Sequence, residues 1–348
     1  MQLTISSAVM KNFVSIIFLL LFVTASCTDK EVKPKELNSY ALLRSTTGTT
    51  QEVVCLDEEE KSVTLRSNFE GTTTRVGDLL YVFDYWNLEV IDLNQMESID
   101  FKEYTSIPDS VDQLQQIVAT RDHLIVAFQN FSTAVISLLV LDINSLEQIQ
   151  IVNLDLETEF YSMASIDNRV FFSSPSGLYS IDVREETSAT QVSDDFFGFA
   201  DFKVLDNDNL LMLTSDKLYE LSAANDNITE IGTFSNGFVI SDPQNSSVAF
   251  DKRNATVYHA ISVPQPSPYS YYLSQFDIST QESTALVEST FSEELEVYAD
   301  GLGSLIFDKQ MNQIVLAGRT EVQVFNTDGS LAQEFDFNDR SVEVVTVF

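Results

Sequence analysis

Short apolar runs ending in Asp or another small polar residue, each followed by a turn, recur along this chain. They read Val53-Val54-Cys55-Leu56-Asp57, Glu89-Val90-Ile91-Asp92, Leu139-Val140-Leu141-Asp142, Tyr179-Ser180-Ile181-Asp182, Tyr219-Glu220-Leu221-Ser222, Ser274-Gln275-Phe276-Asp277 and Val322-Gln323-Val324-Phe325-Asn326. Between their last residues the intervals are 35, 50, 40, 40, 55 and 49, a mean of about 45. A second apolar run precedes most copies, at residues 79–83, 124–128, 170–173, 210–213, 256–261 and 313–317. An earlier run stands at 116–120, 162–166, 201–205, 247–250 and 305–307, and a later one at 148–153, 187–192, 229–234 and 282–287. The turns between the first two runs hold Asp167-Asn168, Asp206-Asn207-Asp208 and Asp251-Lys252-Arg253-Asn254. With only eleven glycines in the chain, Asn and Asp must supply many of the tight-turn conformations.

Four short strands with turns every 45 residues, and no sustained helical period after Val23, predict an all-β fold: a single β-propeller of seven four-stranded blades. The first blade offers three strands only, at 40–44, 51–56 and 62–66. Its missing inner strand is the C-terminal run 342–348, so pairing the two ends closes the ring and leaves no open edge at the seam.

Composition narrows the chemistry. The 348 residues are 44% hydrophobic and 21% charged, with 53 acidic against 19 basic residues and a formal charge of −34. Such a surface repels nucleic-acid phosphate, anionic headgroups and acidic substrates. Two Cys exclude a disulfide scaffold, and two His leave little for His-based metal sites or triads. Neither a His-Glu-x-x-His helix, a Gly-x-Ser-x-Gly elbow nor a glycine-rich phosphate loop is present. Asp206-Asn207-Asp208 begins like a calcium loop, but Leu210 stands fifth and Lys217 twelfth, where a bidentate Glu is required. His123 and His259 read as structural, and no catalytic residue, metal ligand or cofactor is assigned.

The first residues are an address. Lys11-Asn12, the apolar run 13–23 and Thr24-Ala25-Ser26-Cys27 have the charged, apolar and small-residue regions of a secretory signal too short to span a bilayer. The ending Thr-Ala-Ser-Cys resembles the lipobox of bacterial lipoproteins. With the Ile-Asp-Leu, Leu-Asp-Ile and Ile-Asp-Val strands, it makes the chain resemble the propeller lipoproteins of Gram-negative bacteria. The resemblance implies a signal peptide over 1–26, lipid on Cys27, a tether over 27–38, a propeller over 39–348 and an outer-membrane location. One relative in architecture serves the barrel-assembly machinery as a protein-binding scaffold.

Loop lengths are uneven: the fourth-to-first connections and one second-to-third connection, 263–270, are long, and both connection types emerge on one face. They hold or adjoin Tyr85, Trp86, Phe131, Phe160, Tyr161, Phe196, Phe197, Tyr269 and Phe291, with the acids Asp194, Asp195, Glu293 and Glu294 around them. Large rings in solvated loops are the usual anchors of an interface, and the acids would steer a basic partner. The expected function is therefore a membrane-anchored, non-enzymatic scaffold presenting an acidic, aromatic face to a protein. The alternative is a glycan-binding or glycan-processing propeller at the cell surface.

Overall fold

The computed structural model describes residues 40–45, 51–56, 61–66, 71–84, 86–105, 113–130, 133, 135–154, 162–185, 188–195, 201–205, 209–214, 216–233, 238–239, 248–263, 270–289, 305–317, 321–337 and 341–347. The signal, Cys27 and the tether expected from the sequence lie outside these residues. The described chain is built of strands and turns.

Its strands are β1 (Tyr40–Ser45), β2 (Gln51–Leu56) and β3 (Lys61–Thr64); β4 (Thr72–Val76), β5 (Leu79–Asp84), β6 (Asn87–Asp92) and β7 (Glu97–Glu103); β8 (Gln113–Ala119), β9 (His123–Asn130), β10 (Val135–Asp142) and β11 (Gln148–Leu154). There follow β12 (Ser162–Ile166), β13 (Arg169–Ser174), β14 (Gly177–Asp182) and β15 (Thr190–Ser193), then β16 (Asp201–Val204), β17 (Asn209–Leu213), β18 (Lys217–Ser222) and β19 (Asn227–Thr233). The last are β20 (Phe238–Val239), β21 (Val248–Asp251), β22 (Thr256–Val263), β23 (Ser270–Asp277) and β24 (Glu282–Ser289); β25 (Leu305–Asp308), β26 (Gln313–Ala317), β27 (Glu321–Asn326) and β28 (Leu331–Asp336); and β29 (Ser341–Val347).

The molecule is an all-β propeller of antiparallel, mostly four-stranded blades. Six blades are made of consecutive strands: β4–β7, β8–β11, β12–β15, β16–β19, β20–β24 and β25–β28. A further sheet is composite, in the order β29-β1-β2-β3. The seven blades expected from sequence thus divide into six formed by consecutive strands and one sheet assembled from both ends of the described chain. In that sheet β1 pairs β29 from Tyr40↔Val347 to Ser45↔Ser341, with a register shift between Ala41 and Leu42.

The strands form where the sequence alternates or runs apolar, and the second and third strands are the most buried because sheets cover both their faces. Seven apolar clusters fill the seams. Phe83 and Tyr104 meet Phe128 between β4–β7 and β8–β11; Phe171 and Leu178 meet Met212 and Leu221 between β12–β15 and β16–β19. Within the composite sheet, Val54 packs with Val315 and Val322 of β25–β28, whereas Val53 and Cys55 pack with Leu80 and Ile91 of β4–β7. Hydrogen bonds add direction across seams: Tyr104 Oη donates to Leu146 O at 2.8 Å, and Gln150 Nε2 to Val183 O at 2.8 Å.

Sequence reasoning passed over β4, β7, β28 and β20. β4 is Thr-Thr-Thr-Arg-Val, with no apolar run, and only its β-branched residues signal a strand. β7 and β28 are polar because they are outer edges. β20 interrupts what reads as a loop: Phe238↔Ser262 and Val239↔Ile261 continue, along β22, the edge that β21 covers at Val248↔His259.

Every outer strand of the six consecutive blades carries a register shift, skipping Ile99, Ile149, Val192, Ile231, Leu286 and Ala332. A bulge bends the edge and breaks its ladder of free amides, which blocks pairing with a strand from another molecule.

Candidate functional site

The up-and-down order of a blade puts its first-to-second and third-to-fourth turns on one side and its second-to-third and fourth-to-first connections on the other. The two sides use their polar residues differently.

On the turn side, the repeated aspartates hold backbone. Asp92 Oδ1 accepts from the amides of Asn94 and Gln95 at 2.9 and 3.0 Å. Asp142 does so from Asn144 and Ser145 at 3.0 and 2.8 Å, and Asp277 from Ser279 and Thr280 at 2.8 and 3.1 Å. Each turn ends on a residue of positive φ: Met96 at 52°, Leu146 at 57° and Gln281 at 59°. A short carboxylate that accepts from the amides two and three residues on, four residues before the positive-φ residue, stabilises the turn as an Asx turn. Hydrogen bonds from Ser145 hold the Asp142 carboxyl below its usual range, and those from Arg184 and Ser279 do the same for Asp182 and Asp277. Arg169 ties one blade to the next: Nη1 donates to Ala223 O at 2.5 Å and Nη2 to Asp226 Oδ1 at 2.8 Å, with the guanidinium over the Phe171 ring. The motif that gives the sequence its period is therefore turn support.

On the loop side, short polar groups close the second-to-third turns from strand ends. Asp84 accepts from the amides of Trp86 at 3.2 Å and Asn87 at 2.8 Å, and burial pushes its carboxyl above the usual range. Trp86 O in turn accepts from Tyr104 N at 2.7 Å. The Trp86 backbone is thus pinned from both sides while its indole stays 37% exposed. In the β13–β14 turn, Ser176 N donates to Ser174 Oγ at 3.2 Å, and the Ser176 and Tyr179 hydroxyls are hydrogen-bonded to each other at 3.0 Å.

That turn lies against the end of β15. Gln191 Nε2 donates to Ser176 O at 3.0 Å, and Gly177, at φ 130°, approaches Ser193 so closely that a Cβ would stand 2.2 Å from Ser193 O. Asp194 and Asp195 follow immediately and are exposed. Asp195 N donates to Ser193 Oγ at 3.1 Å, and Ser193 Oγ donates to Asp195 Oδ2 at 3.3 Å. Exposed carboxylates here adjoin a row of hydroxyls from Ser174, Ser176 and Tyr179. Sequence reasoning found the two aspartates but not the hydroxyls, although Ser173-Ser174-Pro175-Ser176-Gly177 is a plain turn signal.

Of the residues expected at this face, Trp86, Asp194 and Asp195 are described, with Trp86 on the β4–β7 blade and the aspartates on β12–β15. Tyr85, Phe131, Phe160, Tyr161, Phe196, Phe197, Tyr269, Phe291, Glu293 and Glu294 lie outside the described residues. Among the described residues, no three His, Cys, Asp or Glu side chains converge to hold a metal ion.

No protein-family model and no curated protein matches the sequence. Solved structures do. A functionally unknown protein from Desulfotomaculum acetoxidans DSM 771 superposes with a TM-score of 0.59 at 12% identity, covering 88% of this chain and 99% of that one. Hsv2 from Kluyveromyces lactis gives 0.53 at 10%, covering 87% and 100%. An oligogalacturonate lyase in complex with manganese gives 0.53 at 12%, covering 82% of both chains. At these identities the likeness is one of fold.

Proposed function

We propose that this protein is a lipid-anchored, non-enzymatic interaction module of the bacterial outer membrane, which presents its loop side to a protein partner of basic chemistry. The observation that carries the reading is the division of labour between the two sides. Turn-side aspartates are occupied in holding backbone amides, whereas Asp194 and Asp195 project from the end of β15 and the Trp86 indole stands exposed on a pinned backbone. A rigid frame with an exposed ring and exposed carboxylates is what an interface for a basic surface needs. We also infer that the composite sheet is the seventh blade and closes the ring, because Val53 and Val54 engage the blades on its two sides.

The test is a detergent pull-down from native membranes. Trp86→Ala, and Asp194→Asn with Asp195→Asn, should lose the partner at unchanged melting temperature, and added salt should weaken wild-type capture. Variants that retain every partner would reject this face. Cys27→Ala should move the protein to the soluble fraction; its persistence in the detergent phase would refute the anchor.

The exposed Ser176 hydroxyl, held by Ser174 and Tyr179 beside the exposed Asp194, supports a second reading, the binding of a polyhydroxyl glycan at the same side. The −34 charge favours a neutral or amino sugar over a uronate, and a glycan array decides it.

A further inference from the structure

Of the two histidines, His259 lies in the middle of β22 and is 0% exposed. Its cross-strand partners are Val248 on β21 and Ser274 on β23, so the three share one face of the sheet. Val257, two residues earlier, is on the same face and pairs with Phe250 and Phe276. That face packs against the β16–β19 blade, where Val248, Val257 and Phe276 meet Leu211, Leu213 and Leu218. The imidazole thus occupies a fully buried position on a sheet face that packs into a largely apolar inter-blade seam, with the buried Ser274 as its polar cross-strand neighbour.

Among the described residues, charged groups stand at the seam's margins. From the facing blade, Asp201 pairs with Leu213, and Lys203 with Leu211 and through it Glu220, which places these three on the facing side. Asp201 and Lys203 form an ion pair with each other at 3.7 Å. In the histidine's own sheet the next row by backbone register is Ile261↔Tyr272↔Glu288, while Asp251, Tyr258 and Asp277 belong to the opposite face.

We propose that this seam is an acid-sensitive joint of the propeller, with the imidazole of His259 as its proton acceptor. A proton added to the ring would be held in a fully buried seam beside Val248, Val257 and Ser274, and it is accommodated by parting the β16–β19 and β20–β24 sheets so that water reaches the imidazolium. Burial lowers the imidazole's pKa to about 4, opposed by a hydrogen bond with the Val257 backbone, while an exposed histidine titrates near 6.5. The opened joint therefore binds the proton more tightly than the closed one throughout that interval. Closure is fully favoured above about pH 6.5, is lost as pH falls towards about 4, and does not change further below it, because both states are then protonated. Opening should increase about tenfold per pH unit within the window.

Two measurements on the full chain test this. An NMR titration of the wild type, with His123 as the second imidazole, should show His259 resisting protonation until well below pH 6. Protonation of His259 at ordinary pH with no change in the fold overturns the proposal. Hydrogen exchange, corrected for its intrinsic pH dependence, should show opening of β17 and β22 rising about tenfold per unit relative to β9 and β10 as pH falls from 6.5 to 4.5. His259→Gln and His259→Leu should each abolish that excess. If either folded variant keeps the wild-type pH dependence, the joint is not His259. If neither folds, the wild-type titration and exchange decide alone.

Discussion

Gly232→Ala offers a sharp test of how tightly the propeller's seams are packed. Gly232 lies in β19 opposite Leu218, and the Phe276 ring of the neighbouring sheet fills the space its side chain would occupy. A Cβ there would stand 2.2 Å from Cζ, 2.7 Å from Cε1 and 3.2 Å from Cε2. Carbon atoms in contact rest at about 3.5–4.0 Å, so the overlap with Cζ exceeds 1 Å. Phe276 is fully buried near the end of β23, paired between Val257 and Ser283, and its ring cannot swing aside without leaving the core. Overpacking of this kind costs about 1–3 kcal/mol. Gly232 has no positive φ, so the lost backbone freedom of the unfolded chain returns about 0.4–1 kcal/mol. The net expectation is a loss of about 1–2 kcal/mol in urea unfolding at pH 7 followed by far-ultraviolet circular dichroism. Phe276→Leu makes room at its own cost of about 1–2 kcal/mol. The double variant should then be more stable than the sum of the single effects by about 1–2 kcal/mol. A Gly232→Ala protein with the wild-type midpoint, or strict additivity in the double variant, would refute the reasoning.

Glu89 is buried in β6 and accepts from Arg66 N at 2.8 Å and Ser98 Oγ at 2.5 Å, so Glu89→Ala strands two donors and should lower stability by about 1–3 kcal/mol in the same assay. Asp142→Asn keeps an acceptor for the turn amides but removes the charge. Because hydrogen bonding lowers the wild-type carboxyl's pKa, its extra stability is present above the usual Asp pKa of about 4 and vanishes as pH falls through the lowered value, so the two proteins' melting temperatures should converge on acidification. Removal of residues 341–348 strips β29 from β1, and the shortened chain should melt several degrees lower or self-associate through the bared β1 edge, as light scattering would register. A chain ending at Arg340 with the parental melting temperature would contradict ring closure.

The buried second and third strands were the legible part of the fold. Leu210–Leu213 and Leu139–Asp142 announce themselves because both faces are covered and nearly every residue must be apolar. Outer strands answer to water on one side, so Glu97–Glu103 reads as polar linker; Thr72–Val76 is partly exposed throughout and lacks an apolar signature. The two-residue β20 carries no periodicity and exists because β22 extends beyond β21. At the loop side, charge and aromatic content pointed to Trp86, Asp194 and Asp195. What sequence did not convey was that Gly177 brings the Ser174–Tyr179 hydroxyls beside those aspartates, since the approach depends on a contact between nonadjacent strands.

The antiparallel pairing of β1 with β29 also determines how the molecule answers to force. Residue 40 and residue 347 face each other at one end of the ladder, and residues 45 and 341 at the other. Tension applied between residues 40 and 347 loads Tyr40↔Val347 first and passes to the next pair only after that one separates, so the strands peel rather than slide. Tension applied between residue 40 and a residue in the interior of another blade is shared by two ladders, because β1 is paired to β2 as well as to β29. A chain held by its amino-terminal side is thus mechanically braced, whereas a pull on both ends meets a zipper. Optical-trap rupture forces for the two attachment geometries should differ accordingly, with the two-ended pull yielding at the lower force.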